Sequence, residues 1–468
     1  MNPISDLPNI AALGAIDRAH LIHPVSAWRT HEQRGPTVLS SGRGAWLTDG
    51  EGRELLDGFA GLWCVNVGYG QESVVQAAAE QMRQLPYATG YFHYSSEPAI
   101  RLAEKLVQIT PASLTRVYLT LGGSEAVDAA VRFIVQYYNA IGKPAKKHFI
   151  ALERGYHGSS STGAGLTALP AFHRGFDLPL PTQHYIPSPN PYRHAEGATN
   201  PQAVIDASVA ALRAKVAELG ADSVAAFFCE PIQGSGGVIV PPKGWLKAMR
   251  EAARELDILF VVDEVITGFG RTGPMFACEA EGVEPDLMTM AKGLTSGYVP
   301  MGATMLSEKV YAGIADGAPP GVSVGHGATY SAHPVGAAVA LEVLRLYQEG
   351  GVLAQGQRGA LHFAAGLDAL RSHPLVGDAR HRGLLGALEL VSDKASKAGF
   401  DPALGLADRI AAAAYRNGVV FRAFADNILG FAPALIFSEG EFVELFARVK
   451  KTLDEVLAAP DVRAALVG

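Results

Sequence analysis

Hydrophobic positions along the chain follow two rhythms. From about residue 71, short apolar runs over 117–121, 225–229, 258–262 and 287–290 alternate with stretches whose apolar residues recur at helical spacing. That alternation predicts an α/β layer built on a mainly parallel sheet. Directly after the first of these strands, Val127, Ala130, Val131, Ile134, Val135 and Tyr138 mark one face of a helix. Nearer the start, the turn Asp49-Gly50-Glu51-Gly52 separates two apolar runs within 46–57 and predicts a hairpin. Past residue 335 the spacing predicts helices over 337–348 and 356–371, a strand over 418–421 and a terminal helix, together a smaller α+β lobe. The Pro-, Ser- and His-rich stretch 183–201 reads as a long surface loop. The expected division is an N-terminal segment (1–70) contributing to the small domain, a large domain (71–334) and a C-terminal small domain (335–468).

Composition narrows the class of partner. A chain of 468 residues exceeds what one compact core takes up. Charged residues are 18% of it, against roughly 25% in an average soluble protein, so a buried oligomer interface is expected. Lys plus Arg number 39 against 46 Asp plus Glu, a net charge of −7 with no basic run. No electrostatic footprint for nucleic acid or an anionic membrane is present, which leaves a small-molecule partner. Cys64, Cys229 and Cys278 are odd in number, far apart and in apolar context, so they read as buried small hydrophobes rather than disulfides or zinc ligands. The opening Met1-Asn2-Pro3-Ile4-Ser5-Asp6 lacks the basic start and apolar core of a signal peptide, and a cytoplasmic location is expected.

Three strand ends carry candidate chemistry. The strand over 117–121 runs into Gly122-Gly123-Ser124-Glu125 at a helix start. Free backbone N–H groups and the helix dipole there suit a phosphate, and a plain turn capped by Ser124 fits equally well. Asp263 and Glu264 abruptly end the strand over 258–262, where ligands of open α/β sheets sit; Asp263 is the site candidate and Glu264, pointing the other way, is expected to be a salt-bridge partner. Lys292 follows the strand over 287–290; a buried lysine can lose its proton and act as a nucleophile, but taken alone the residue fits better as a surface lysine snorkelling its amine to water. Gly268-Phe269-Gly270-Arg271-Thr272-Gly273 has the spacing of a dinucleotide fingerprint, but it comes after the strand has ended and precedes Pro274, so it reads as a loop. His20 and His23, and His326 and His333, lack companions at metal spacing; no metal is expected.

A phosphate cup, an aspartate and a lysine at successive strand ends are what a pyridoxal phosphate site needs. With Gly123-Ser124-Glu125-Ala126, Gly155-Tyr156-His157-Gly158, Glu230-Pro231-Ile232-Gln233-Gly234, Asp263-Glu264-Val265, Ala291-Lys292-Gly293 and Gly327-Ala328-Thr329-Tyr330-Ser331 in this order, the chain resembles the class III pyridoxal-phosphate-dependent aminotransferases of fold type I over nearly its whole length. The resemblance implies that Lys292 binds the cofactor covalently and moves the proton, and that Asp263 pairs with the pyridine nitrogen. Gly123 and Ser124 would hold the phosphate. Tyr156 and Val265 would cover the two ring faces, with His157 and Glu230 among the cofactor-binding residues. Thr329 would reach the phosphate from a second subunit, so a homodimer or a tetramer of dimers is implied.

Members of this family often have a hydroxyl residue where Gly122 stands, and members acting on ornithine or 4-aminobutyrate commonly have glutamine where Ile266 stands. The segment Leu62-Trp63-Cys64-Val65-Asn66 and the stretch Val420-Phe421-Arg422-Ala423-Phe424 are similar to those of omega, or amine and diamine:pyruvate, aminotransferases. There Trp63 would line the substrate pocket with Tyr156, and Arg422 would hold the keto-acid carboxylate through its guanidinium fork. The implied reaction moves an amino group from a primary amine or putrescine-like diamine to pyruvate; a β-alanine:pyruvate enzyme shares most of these motifs. Tyr91, Phe92 and Tyr94 are further candidates for pocket walls.

Overall fold

The computed structural model describes residues 9–197 and 199–467. The opening hexapeptide read for a leader lies outside the described residues. Three strands near the N-terminus, β1 (Leu39–Arg43), β2 (Trp46–Asp49) and β3 (Glu54–Asp57), form an antiparallel sheet whose β2–β3 turn is the expected hairpin. Asp49 fixes that turn by accepting the backbone N–H groups of Glu51 and Arg53 on one carboxylate oxygen.

The central sheet has seven strands: β4 (Leu114–Thr120), β5 (His148–Leu152), β6 (Gln183–Ile186), β7 (Val224–Cys229), β8 (Leu259–Asp263), β9 (Leu287–Met290) and β10 (Gly302–Ser307). They are ordered β4-β10-β9-β8-β7-β5-β6. Pairings from β9 to β6 are parallel, and β10 runs antiparallel to both its neighbours. Every residue of β7, β8, β9 and β10 is buried. Helices cover both faces of such a sheet, which is why its central strands read as unbroken apolar runs. The Gly123–Ala140 helix packs the expected face, with Val127, Ala130, Val131, Ile134 and Tyr138 buried and Val135 partly so. Strand β6 corrects the reading of 183–201 as loop throughout: Gln183 to Ile186 add an edge strand in parallel register with Phe149 to Leu152.

The C-terminal part holds the Pro334–Gln348 and Val352–Ala369 helices, then β11 (Val376–Arg382), β12 (Leu385–Leu390), β13 (Val419–Val420), β14 (Arg422–Ala423) and β15 (Ile428–Phe431), and the Glu439–Leu457 helix. A sheet ordered β11-β12-β15-β14 was not foreseen. Strand β13 leaves it and pairs in parallel with β3, so the two ends of the chain share one sheet. Among the described residues no helix is long and apolar enough to cross a membrane.

Candidate active site

Topology brings the candidate residues to one edge. Because β10 is antiparallel to both β4 and β9, β4 points the same way as the parallel strands. The carboxyl ends of β4, β5, β7, β8 and β9 therefore open on the same side, the usual place for a ligand in such a sheet. Gly123 and Ser124 follow β4, Tyr156 and His157 follow β5, Glu230 follows β7, Asp263 ends β8 and Lys292 follows β9. With Gly158, Val265, Ile266 and Ala291 these residues line one cavity of about 110 Å³.

Asp263 is buried, and its Oδ1 accepts the Val265 N–H at 3.1 Å. His157 Nδ1 lies 2.8 Å from Oδ2 and donates to it, since a carboxylate only accepts. Burial works against the charged imidazole, but the Asp263 bond and charge and the charge of Glu230 outweigh it and raise the His157 pKa. Thr167 Oγ1 accepts the His157 backbone N–H at 2.8 Å. Glu230 accepts Tyr156 N–H and Gly234 N–H at 2.9 Å each, and burial pushes its carboxyl up to about 7 despite His157. Lys292 is half-buried on a left-handed backbone of φ 39, strain that persists only where the surroundings hold it. Tyr156 is braced edge-on by Phe172 at 5.3 Å.

The cup is shaped by absent side chains. A Cβ at Gly123 would meet Val265 at 3.2 Å, and Gly158, at φ +111, would place one 2.8 Å from Ser124 Oγ. Ser124 Oγ also accepts the Ser159 N–H. Gly122 is extended, at φ −178, so its backbone does not require glycine.

A second group adjoins this cavity. Lys292 Nζ lies 5.9 Å from the centre of the Trp63 ring, Trp63 stacks with Phe424 at 6.4 Å, and Arg422 covers Phe424 at 5.4 Å. Trp63 is buried, its indole Nε1 has no partner, and its backbone is left-handed together with those of Ala60 and Gly61. Asp57 holds this contorted turn by accepting Phe59 N–H, Gly61 N–H and the Tyr69 hydroxyl. Arg422 is exposed at the end of the row.

Residues that cup an anion at a helix N-terminus, present a buried carboxylate and offer a free lysine amine fit a phosphorylated, cationic-ring aldehyde. Residues 28–453 match the family Aminotransferase class-III. The chain belongs to the class III aminotransferases. This aminotransferase is 39% identical over 448 residues to the putrescine–pyruvate aminotransferase of Pseudomonas aeruginosa, covering 95% of this chain and 96% of that protein. It is 37% identical to the diaminobutyrate–2-oxoglutarate transaminase of Halomonas elongata, with 90% and 91% covered. The crystal structure of the omega transaminase from Pseudomonas jessenii in complex with PMP superposes with a TM-score of 0.92 at 37% identity, covering 95% of this chain and 98% of that one. The enzyme is thus a pyridoxal-phosphate-dependent transaminase of fold type I.

Glu264 and Cys64 depart from their sequence expectations. Glu264 has no cationic partner among the described residues: it is fully buried and accepts the Thr267 hydroxyl and the Cys278 N–H. Thr329 is exposed and does not line the Lys292 cavity of its own chain. Tyr91, Phe92 and Tyr94 are exposed too; Tyr91 lines a separate hollow with His326 and Gly327. Cys64 is only partly buried, unlike Cys229 and Cys278. Gly268 to Gly273 form turns as expected. Phe424, Gly158 and Asp57 were missed. Phe424 lies two residues beyond Arg422, a spacing that shares one face of an extended chain.

Proposed function

We propose that this transaminase takes its amino group from a primary amine or putrescine-like diamine and gives it to pyruvate. The observation carrying this reading is the row Lys292, Trp63, Phe424, Arg422: one apolar ring faces the reactive amine, a second stacks on the first, and one guanidinium stands at the far end. Rings suit the alkyl chain of an amine, and the guanidinium suits the carboxylate of a keto acid in the second half-reaction. Similarity to a putrescine–pyruvate aminotransferase supports it.

Bound pyridoxal phosphate supplies an electron-poor ring that stabilises the carbon losing its proton. In our reading Asp263, oriented by His157 and the Val265 N–H, keeps the ring nitrogen protonated. Gly123 and Ser124 would bind the phosphate, Tyr156 and Val265 would hold the ring between them, and Glu230 fixes the backbone that carries Tyr156. The Lys292 amine would hold the cofactor and, once displaced by the substrate amine, take up the proton leaving the substrate carbon. Thr329, exposed on its own chain, reaches the phosphate of a second copy, so the working unit is at least a homodimer.

The test is the visible absorbance of the cofactor-loaded enzyme as putrescine, then β-alanine, is added without keto acid. Bleaching by the diamine and recovery with pyruvate is expected. Bleaching by β-alanine alone replaces this reading with an omega-amino acid:pyruvate enzyme, which Arg422 would also serve. Lys292→Ala is expected to abolish turnover; retained activity sinks the proton-transfer role. For Arg422→Ala we expect turnover with pyruvate to fall at least tenfold, while bleaching by putrescine changes little; equal losses make the arginine structural.

A further inference from the structure

We propose that the N-terminal segment carries a binding site for a divalent transition metal of the zinc type, made by Asp17, His23 and His31. Asp17 lies in the Ile10–His20 helix, His31 in the Trp28–Arg34 helix and His23 in the connection between them. The chain folds back so that both imidazoles aim Nε2 at one carboxylate. His23 Nε2 is 2.8 Å from Oδ2, and His31 Nε2 is 2.7 Å from Oδ1. The rings themselves stand 4.2 Å apart, tilted by 39°. One ligand atom from each residue lies within 4.8 Å of the other two, the only such group of His, Cys, Asp or Glu among the described residues.

The donor set is chemically specific. Two imidazoles and one carboxylate, with a fourth position left open, are a familiar zinc complement, and nickel, copper and cobalt share the preference. Tetrahedral ligands about 2.0–2.1 Å from a zinc ion stand roughly 3.3 Å apart. The contact between an Nε2 and the ligating oxygen therefore opens by about half an ångström, while the wider separations in the group, none above 4.8 Å, close toward that value. Without metal, each Nε2–H donates to Asp17. On binding, each neutral ring shifts its single proton from Nε2 to Nδ1 through solvent, so the Nε2 lone pairs face the ion. The side chains are 33%, 16% and 14% exposed for His23, His31 and Asp17, enough for an ion to enter and water to complete the shell. Sequence spacing concealed the site, since neither Asp17 nor His31 falls at a helical metal interval from His23.

Such an ion would cross-link the two N-terminal helices far from the Lys292 cavity in the chain, and the site stands independently of the substrate reading. The experiment is equilibrium dialysis of the holoenzyme against micromolar zinc, with metal content per chain and the rate of tryptic cleavage after Arg29 and Arg34 as readouts. Wild type is expected to retain one zinc per chain and to be cut several-fold more slowly in its presence. His23→Gln and His31→Gln keep a side-chain N–H for Asp17 and should fold, yet lose at least nine-tenths of the zinc and all of the protection. Two results overturn the site: no zinc on the wild type, or equal zinc on both variants. Metal without slower cleavage overturns the cross-linking role.

Discussion

Glu230 is the residue whose environment is least like water. It is fully buried, faces Asp263 and His157, and holds two backbone N–H groups. Its carboxyl moves from 4.5 to about 7, so the folded state favours the protonated form. The unfolded chain releases that proton at lower pH. Between pH 4.5 and 7 the folded state binds the extra proton, and stability falls as pH rises through that window. Below it nothing is lost; above it the full loss, on the order of 3 kcal/mol, is present. Glu230→Gln mimics the protonated form at every pH, at a constant cost from one lost N–H acceptor. Urea unfolding of both proteins from pH 4.5 to 8 should show the wild type losing ground to the variant as pH rises. A pH-independent difference would refute the shift. Lys292, Asp263 and the Gly123-Ser124 cup were legible from sequence because each abruptly ends an apolar run. Glu230 was assigned through family likeness, and its protonation depends on neighbours from other strands that no local pattern displays.

At the scale of elements, the strands most directly read are those with both faces buried. Val224–Cys229, Leu259–Asp263 and Leu287–Met290 announce themselves as apolar runs. The Gly302–Ser307 strand is equally buried yet was missed: it opens on glycine and closes on serine, and between them Thr304, whose hydroxyl donates to the Ala126 carbonyl at 2.7 Å, leaves only Ala303, Met305 and Leu306 as apolar letters. The Val376–Arg382 strand is masked by Arg380, whose charge is met by Asp378 and Glu389 and whose guanidinium also donates to the Gly237 and Val238 carbonyls. The β14–β15 hairpin that carries Arg422 is tied at its turn: Arg154, just before Tyr156, donates to Asp426 and to the Gly236 carbonyl. This exposed pair contributes only about 0–1 kcal/mol to stability, but it fixes the hairpin against the strand end bearing Tyr156. Asp426→Ala is therefore expected to lower the melting temperature by about 2 °C or less while raising the KM for the keto acid several-fold. An unchanged KM would show that the hairpin holds Arg422 in place without the tether.

Over the whole molecule, the N-terminal segment, the central sheet and the C-terminal sheet meet at Arg271. The sequence showed this residue only as part of a glycine-rich loop. Its side chain is completely buried, with no carboxylate partner among the described residues; burial lowers its pKa to about 10, which leaves it charged at neutral pH. The guanidinium donates to Asn66 Oδ1 from the N-terminal segment and to the Leu384 and Pro433 carbonyls from the C-terminal part. Asn66 in turn donates to the Phe269 carbonyl, and Val67 N–H reaches Ser296 Oγ, beside the turn that carries Lys292. A planar fork can serve acceptors on several sides at once, which a single ammonium cannot. Arg271→Leu removes the buried charge but strands three acceptors at roughly 1–3 kcal/mol each, so we expect a loss of about 3–5 kcal/mol in urea unfolding. Arg271→Lys should recover only part of it, because one ammonium cannot span from Asn66 to both carbonyls. Were the lysine variant as stable as wild type, apolar packing and the bonds of Asn66 and Val67 would hold the three parts of the chain, and the directional bonds of Arg271 would have no share in keeping the Lys292 turn in register with Trp63.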